Sequence, residues 1–391
     1  MNIEILKNRL GNTKTWYRVS VSAFYFIQGL VFATWASRIP DIKNLLGMNE
    51  AMLGGVLFFI PAGQMTAMAL SGWSVSKYGS KRMLLLSATM YSLILILLGS
   101  STSIFQLSVS LFLFGMSANL FNIAINTQAI GVERLYGRSI MASFHGLWSL
   151  AGLTGGLIST LTVALDISTL IHFVLIVIIF FTVLLSLKNS VLPRDEQQSK
   201  KGATDKKVFI WPDRYVIMLG FMAFGTMICE GTMFDWSSVY FEQIINPPKN
   251  LIRLGYIAAM FGMTGGRFVA DSFITRFGVV NILKTCGLTI STGLLISTIF
   301  PYLITATIGF LLVGIGVSAI VPITYSMAGK SKTMLPGIAL AAVSTVGFLG
   351  FLIGPPIIGF IAHALNLRWS LSFIAIFGIF ITALAPRLNK L

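Results

Sequence analysis

Glu230 and Asp235 lie five residues apart in "MICEGTMFDWSSVYF" (227–241), a stretch otherwise apolar enough to cross a bilayer. An ionised side chain at the bilayer centre costs at least ~2.5–3.5 kcal/mol, so intramembrane acids usually mark ion or substrate paths. Glu230 follows Arg214 by sixteen residues, roughly 24 Å along a helix rising 1.5 Å per residue. A carboxyl at that depth suits proton pickup and release; the plainer reading is a neutral acid that fixes a helix contact. Asp235 points about 140° away around the helix, so the two cannot form one dyad. Beside Trp236 and Tyr240, read as an interfacial aromatic pair, Asp235 is a hydrated helix end or an outer-gate partner. Asn119, Asn122 and Asn126 recur at i, i+3 and i+7 on one helical face, which must turn inward, since three carboxamides facing lipid are intolerable. Such a row can exchange hydrogen bonds with the hydroxyls of a sugar-like or other polyol solute, or simply bind neighbouring helices together. Gln28, Gln64 and Trp148 join it as candidate solute-binding residues. His145, which titrates in the physiological range, is a pH-sensitive gate or a structural hydrogen-bonding group. Arg267 and Asp271, four apart, are expected to pair on one face as part of an inner gate. Arg38, just before Ile39-Pro40-Asp41, either snorkels at the outer interface or serves a gate there.

The elements that must position these residues are membrane helices. Of 391 residues, 55% are apolar and 10% charged, against roughly 25% charged in a soluble domain. Apolar stretches of about twenty residues, enough to cross a ~30 Å hydrocarbon core, fall at 16–37, 50–75, 83–101, 105–129, 140–164 and 168–187. Six more fall at 214–241, 252–275, 280–300, 302–326, 335–362 and 369–386. Between the two sets, residues 188–213 are polar and lysine-rich, a mobile cytoplasmic linker. The expected organisation is therefore a six-helix bundle over 1–187, the linker, and a second six-helix bundle over 214–391. The fold class is all-α membrane, with twelve transmembrane helices in two pseudo-symmetric bundles.

The net charge of +15 is no nucleic-acid signature, because no basic face carries interleaved aromatics. With both termini cytoplasmic, 23 of the 28 Lys and Arg residues fall on the cytoplasmic side. Only Arg38, Lys43, Lys249, Arg253 and Arg368 fall outside, in keeping with the positive-inside rule. Cys229 and Cys286 both lie in predicted helices and read as packing residues, not a disulfide framework.

The two sets also resemble each other. "GWSVSKYGSKRML" closes the second span and "DSFITRFGVVNIL" the eighth, with Gly79 and Gly278 separated by 199 positions. Gly115 in the fourth span and Gly314 in the tenth are again 199 apart, and Trp35 and Trp236 differ by 201. A constant offset across several elements marks a duplication, and in membrane proteins that pattern belongs to transporters with a site near midplane between the repeats.

"GWSVSKYGSKR" resembles the loop signature of the major facilitator superfamily, Gly-x-x-x-Asp-Arg-x-Gly-Arg-Arg, through Gly72, Lys77, Gly79 and Lys81, with Arg82 one position beyond. Ser76 stands where the signature has its acid, and Thr275 holds the equivalent place in the second half. The resemblance implies a cytoplasmic gating role for Lys77 and Arg82. "FATWASRIPDIK", "ERLYGRSIMASFHGLWSLAGLTGG", "CEGTMFDWSSVYF" and "GFLGFLIGPPIIGFIA" are similar to a bacterial branch related to fucose permease, often called YbjJ- or MosC-like. The likeness covers essentially the whole chain and implies alternating access. Fucose permease couples protons through acids in its first and fourth spans; here those spans hold Gln28 and asparagines, which moves any coupling to Glu230. The "GPP" of 354–356 reads as a kink or break in the eleventh span.

The expected function is a secondary transporter of the bacterial inner membrane, a monomer moving a small polar solute, with protons as the coupling ion. Rivals are an exporter of amphiphiles on the same scaffold, kept open by 17 methionines, and a receptor that binds without flux. An enzyme is not expected: there is no His-Glu-x-x-His, no Gly-x-Ser-x-Gly and no Walker motif, hence no cofactor and no ATP.

Overall fold

The computed structural model describes residues 3–137, 140–193, 213–331, 334 and 336–390; the side chains of 3–12, 142, 271, 336, 337, 389 and 390 are outside that description. Among the described residues the chain forms helices joined by short turns, with no strand. In the first half the helices are α1 (Ile3–Ser37), α2 (Ile39–Leu45), α3 (Glu50–Leu57), α4 (Phe59–Tyr78), α5 (Ser80–Gly99), α6 (Ile104–Tyr136), α7 (Met141–Ala164) and α8 (Thr169–Leu187). The second half contains α9 (Arg214–Tyr240), α10 (Leu254–Phe277), α11 (Val279–Ile299), α12 (Leu303–Ala328), α13 (Pro336–Ala364) and α14 (Leu367–Leu384). Most of the expected linker, residues 194–212, lies outside the described residues.

Short polar side chains start many of these helices by satisfying orphaned backbone donors. Asn49 accepts from the Met52 amide at 2.8 Å, Ser103 from Gln106 at 3.2 Å and Asp213 from Val216 at 2.7 Å. The second expected span divides into α3 and α4 at Phe58, where Pro61 can donate nothing to the Leu57 carbonyl and crowds it. Of the expected kink or break at Pro355-Pro356, the break is absent, since α13 continues through both prolines. There the α3 backbone comes close: a Cβ on Gly54 would lie 2.5 Å from the Pro355 carbonyl oxygen.

Eleven helices among the described residues are long and apolar enough to span a membrane. The remaining span-length helix is α10, 24 residues long, whose apolar run is interrupted by Arg267, Asp271 and Arg276. This is a multi-pass membrane protein, and its most polar span carries a candidate site residue.

Contacts divide the chain into two compact units: 1–35, 59–155 and 167–206 in one, and 36–58, 156–166 and 207–391 in the other. These units do not follow the six-plus-six division, because the ends of α1 and α7, with α2 and α3, are packed within the second unit. Inside each unit the same crossing recurs. In the first, a Cβ on Gly63 would strike the Phe112 carbonyl and one on Gly115 the Ile60 carbonyl. In the second, Gly262 meets Leu311 and Gly314 meets Ala259 in the same way, each residue 199 positions on. Gly79 and Gly278 both take positive φ, 86° and 78°, a region glycine enters freely. The duplication seen as an offset in sequence is thus a duplicated backbone contact.

Gly262→Val should cost about 1–3 kcal/mol through overpacking, read as a lower melting temperature of the purified protein. Gly265→Ala, one turn on with nothing within 4 Å of its Cβ position, should not lower it.

Candidate functional site

Helix α9 is buried along nearly its whole length, as expected for a helix apolar on all faces. Glu230 is 8% exposed, and its Oε1 lies 3.3 Å from Arg267 Nη2 on α10. Arg267 therefore reaches across to α9; the Asp271 side chain, its expected partner, lies outside the described residues. Nearby, the Tyr325 side chain of α12 hydrogen-bonds Ser344 of α13 and is close enough to Glu230 for an electrostatic interaction. Tyr325 stands 199 positions after Asn126, so the two repeats place polar side chains at equivalent points.

Asp235 is half-buried and interacts with Tyr256 of α10. Trp236 and Tyr240 correct the interfacial reading, because both are fully buried. Tyr240 donates to the Ser297 carbonyl at 2.6 Å; on a helix surrounded by others, these aromatics fill the core.

In the first unit the asparagine row is partly used within the protein. Tyr25 donates to Asn126 Oδ1 at 2.7 Å, and Asn126 Nδ2 donates to the Asn122 carbonyl at 2.7 Å and side-chain oxygen at 2.5 Å. Asn122 is exposed, while Asn119 is buried with no partner for Oδ1 among the described residues. Tyr25 stacks on Phe144 at 5.5 Å and meets His145 edge-on at 5.3 Å. Trp148 packs against Phe32 at 6.0 Å. A Cβ on Gly29 would lie 2.6 Å from the Trp148 carbonyl oxygen, so glycine there lets α1 and α7 meet. Gln28 is buried and Gln64 half-buried. The structure thus joins Asn122, Asn126, Tyr25 and His145 into one cluster. Tyr25 was missed in sequence, although it lies one turn before Gln28 on the same helical face.

A second polar cluster lies in the other unit, where α1 ends. Arg38 does not snorkel: it is 3% exposed, donates to Thr162 Oγ1 at 2.9 Å and lies 3.6 Å from Asp41. Burial lowers its pKa while Asp41 raises it; a guanidinium stays charged throughout. Arg253 is 1% exposed, pairs with Asp41 and donates to the carbonyls of Ser37 and Lys249 at 3.2 and 3.4 Å. Lys43 lies 3.3 Å from Glu50, which also accepts from Gln243 at 2.8 Å, while Asn44 donates to Glu242 at 2.8 Å. Gln243 and Glu242 sit on a π-helical turn, Phe241–Ile245, closed by Asn246 at φ 49°. Only Arg38 of this network was singled out in sequence. Its partners read as ordinary loop charges, although Pro40 opening a short helix, α2, was a signal for order.

A family model described as the Major Facilitator Superfamily matches residues 21–333. The chain belongs to this superfamily. It is 32% identical over 375 residues to an uncharacterized MFS-type transporter of Yersinia pestis, covering 95% of this chain and 96% of that protein. It is 31% identical over 362 residues to the membrane protein MosC of Rhizobium meliloti, covering 93% and 88%. Among solved structures, nucleoside transporter NupG shares the fold with a TM-score of 0.77 at 12% identity, covering 97% of this chain and all of that one.

In this superfamily member the signature loop bends at Gly79. Lys77 stands over Trp73 at 4.6 Å and Tyr78 at 5.3 Å, a cation between two aromatic faces. Arg82 is exposed. On α6, two turns before its end, Gln128 closes a cyclic pair with Leu192, accepting from its amide at 2.8 Å and donating to its carbonyl at 3.1 Å. Glu133, at the end of α6, accepts from the amides of Ile140 and Met141 at 2.8 and 2.9 Å and so caps the start of α7.

Proposed function

We propose that this chain is a secondary transporter of the bacterial inner membrane that moves a small polar solute by alternating access, coupled to protons through Glu230. The Glu230–Arg267 pair carries the reading, because ionisable side chains held inside spanning helices are costly and mark transport paths. The exposed Asn122 and its partner Asn126 supply donors and acceptors suited to a hydroxylated solute. That NupG, which shares this fold, is a nucleoside transporter is in keeping with a polar solute. The Arg38–Asp41–Arg253 and Lys43–Glu50–Gln243 contacts serve as the outer gate, with both termini cytoplasmic. Lys77 and Arg82 serve at the cytoplasmic face.

Counterflow in proteoliposomes tests transport directly. Vesicles preloaded with unlabelled nucleosides, pentoses, hexoses or their acids should concentrate the labelled form of at least one of them. A protein that binds a solute yet never exchanges it is a receptor, and the transporter reading falls. With the exchanged solute in hand, Asn122→Ala should weaken its affinity about tenfold, one hydrogen bond at ~1 kcal/mol with some loss of order; an unchanged binding curve removes α6 from the site.

A further inference from the structure

We propose that Asp235 receives a protonated amino group of the transported solute, with Tyr256 beside it as a further acceptor. The inference rests on the transporter reading above and narrows its substrate to small organic amines.

Asp235 lies inside the span Arg214–Ile245, where an ionised side chain costs at least ~2.5–3.5 kcal/mol unless something answers it. Among the described residues no Lys, Arg or His comes within ion-pair distance of its carboxylate, and no side chain hydrogen-bonds it. Arg253, three residues before Tyr256, is taken up by Asp41 and the carbonyls of Ser37 and Lys249. The acid is nevertheless open. It is half-buried, while Gly231, Thr232, Ser238 and Val239, the positions one turn either side of it, are all buried. A lipid-facing stripe would expose those positions too, so the opening is local to Asp235 and lies among the helices.

Tyr256 of α10 supplies the independent observation. It is fully buried and close enough to Asp235 for an electrostatic interaction, yet its hydroxyl has no hydrogen-bond partner among the described residues. Its ring is held in place by α7: a Cβ on Gly156 would lie 3.0 Å from Tyr256 Cδ1 and 3.1 Å from Cε1. Buried polar groups are nearly always satisfied, so a phenol and a carboxylate side by side with bonding capacity unspent fit a partner that is not part of the chain. A metal ion suits the place poorly. Hard cations take ~6–8 oxygens, and no group of three His, Cys, Asp or Glu gathers among the described residues. An ammonium has three hydrogens to donate and accepts none; two carboxylate oxygens and the phenol oxygen match that number, and its charge answers Asp235.

The test uses the purified full-length protein and matched probes: D-glucosamine with D-glucose, D-galactosamine with D-galactose, and benzylamine with benzyl alcohol, buffered so that the amines are protonated. Thermal shift and binding are measured for each. At least one amine is expected to bind and stabilise the protein where its uncharged partner does not. Asp235→Asn should weaken that amine about tenfold to a hundredfold, the worth of a hydrogen bond to a charged group. Because this variant strands no cation, it should melt no lower than wild type without ligand, which separates lost binding from lost folding. Tyr256→Phe removes only the hydroxyl and should weaken the amine about two- to tenfold. An uncharged probe that matches its amine, amine binding that survives Asp235→Asn, or indifference to every amine overturns the site. Amine binding without counterflow overturns the transporter reading instead and leaves the site standing.

Discussion

Arg253→Gln should destabilise the protein by about 3 kcal/mol, the low end of the ~3–5 kcal/mol that removing one partner of a buried pair usually costs. The low end applies because Asp41 is 31% exposed and keeps some water. Arg253 itself is almost wholly buried and holds three groups at once: the Asp41 carboxylate and the carbonyls of Ser37 and Lys249. Glutamine can replace at most one of these contacts. Among the described residues Asp41 would retain only Arg38, which sits 3.6 Å away and is already engaged with Thr162. Thermal melting of the purified protein reads the loss. Adding Asp41→Asn should restore part of the stability, since no charge is then left unpaired; a wild-type melting curve for Arg253→Gln alone would show that this network holds nothing together.

Glu230→Gln should abolish solute flux driven by a pH gradient while solute exchange across proteoliposomes continues. Glutamine keeps the shape and a hydrogen-bond acceptor for Arg267 but cannot pick up or release a proton. Coupling needs that proton; exchange needs only a site that binds and reorients. The measurement compares gradient-driven uptake with counterflow in the same vesicles. If the variant responds to the gradient as wild type does, the coupling group is elsewhere, and Asp235 becomes the next residue to replace.

The helices were legible because a twenty-residue apolar run has few alternatives, and the repeat was legible because its glycines kept their spacing. Glu230 was visible through the cost of its charge alone. Its partner was not: Arg267 lies 37 residues away, and only the crossing of α9 and α10 brings them together. Spacing within one helix displayed Asp271, since i, i+4 neighbours are the contacts a sequence shows directly; its side chain lies outside the described residues. Arg38 was misjudged for a related reason. Counting loop charges by side treats each as solvated, whereas Arg38, Lys43 and Arg253 are all buried against acids or carbonyls supplied by distant segments. Trp236 and Tyr240 illustrate the converse error, for amphipathic aromatics near a helix end suit an interface and a protein core equally well. The polarity of α10 could have been read as a warning: a span that carries two arginines and an aspartate is stable only when neighbouring helices answer those charges.

The paired glycine crossings limit how this molecule can change shape. Where Gly63 lies on Phe112 and Gly115 on Ile60, main chain touches main chain, with no flexible side chain between to act as a bearing. The same holds where Gly262 lies on Leu311 and Gly314 on Ala259. Sliding or rotating either pair would drive peptide groups into one another, so α4 with α6, and α10 with α12, behave as welded beams. Bending must then be absorbed elsewhere, at joints such as Phe58 or the π turn after Tyr240, and labels placed across a weld should hold one distance through the whole working cycle.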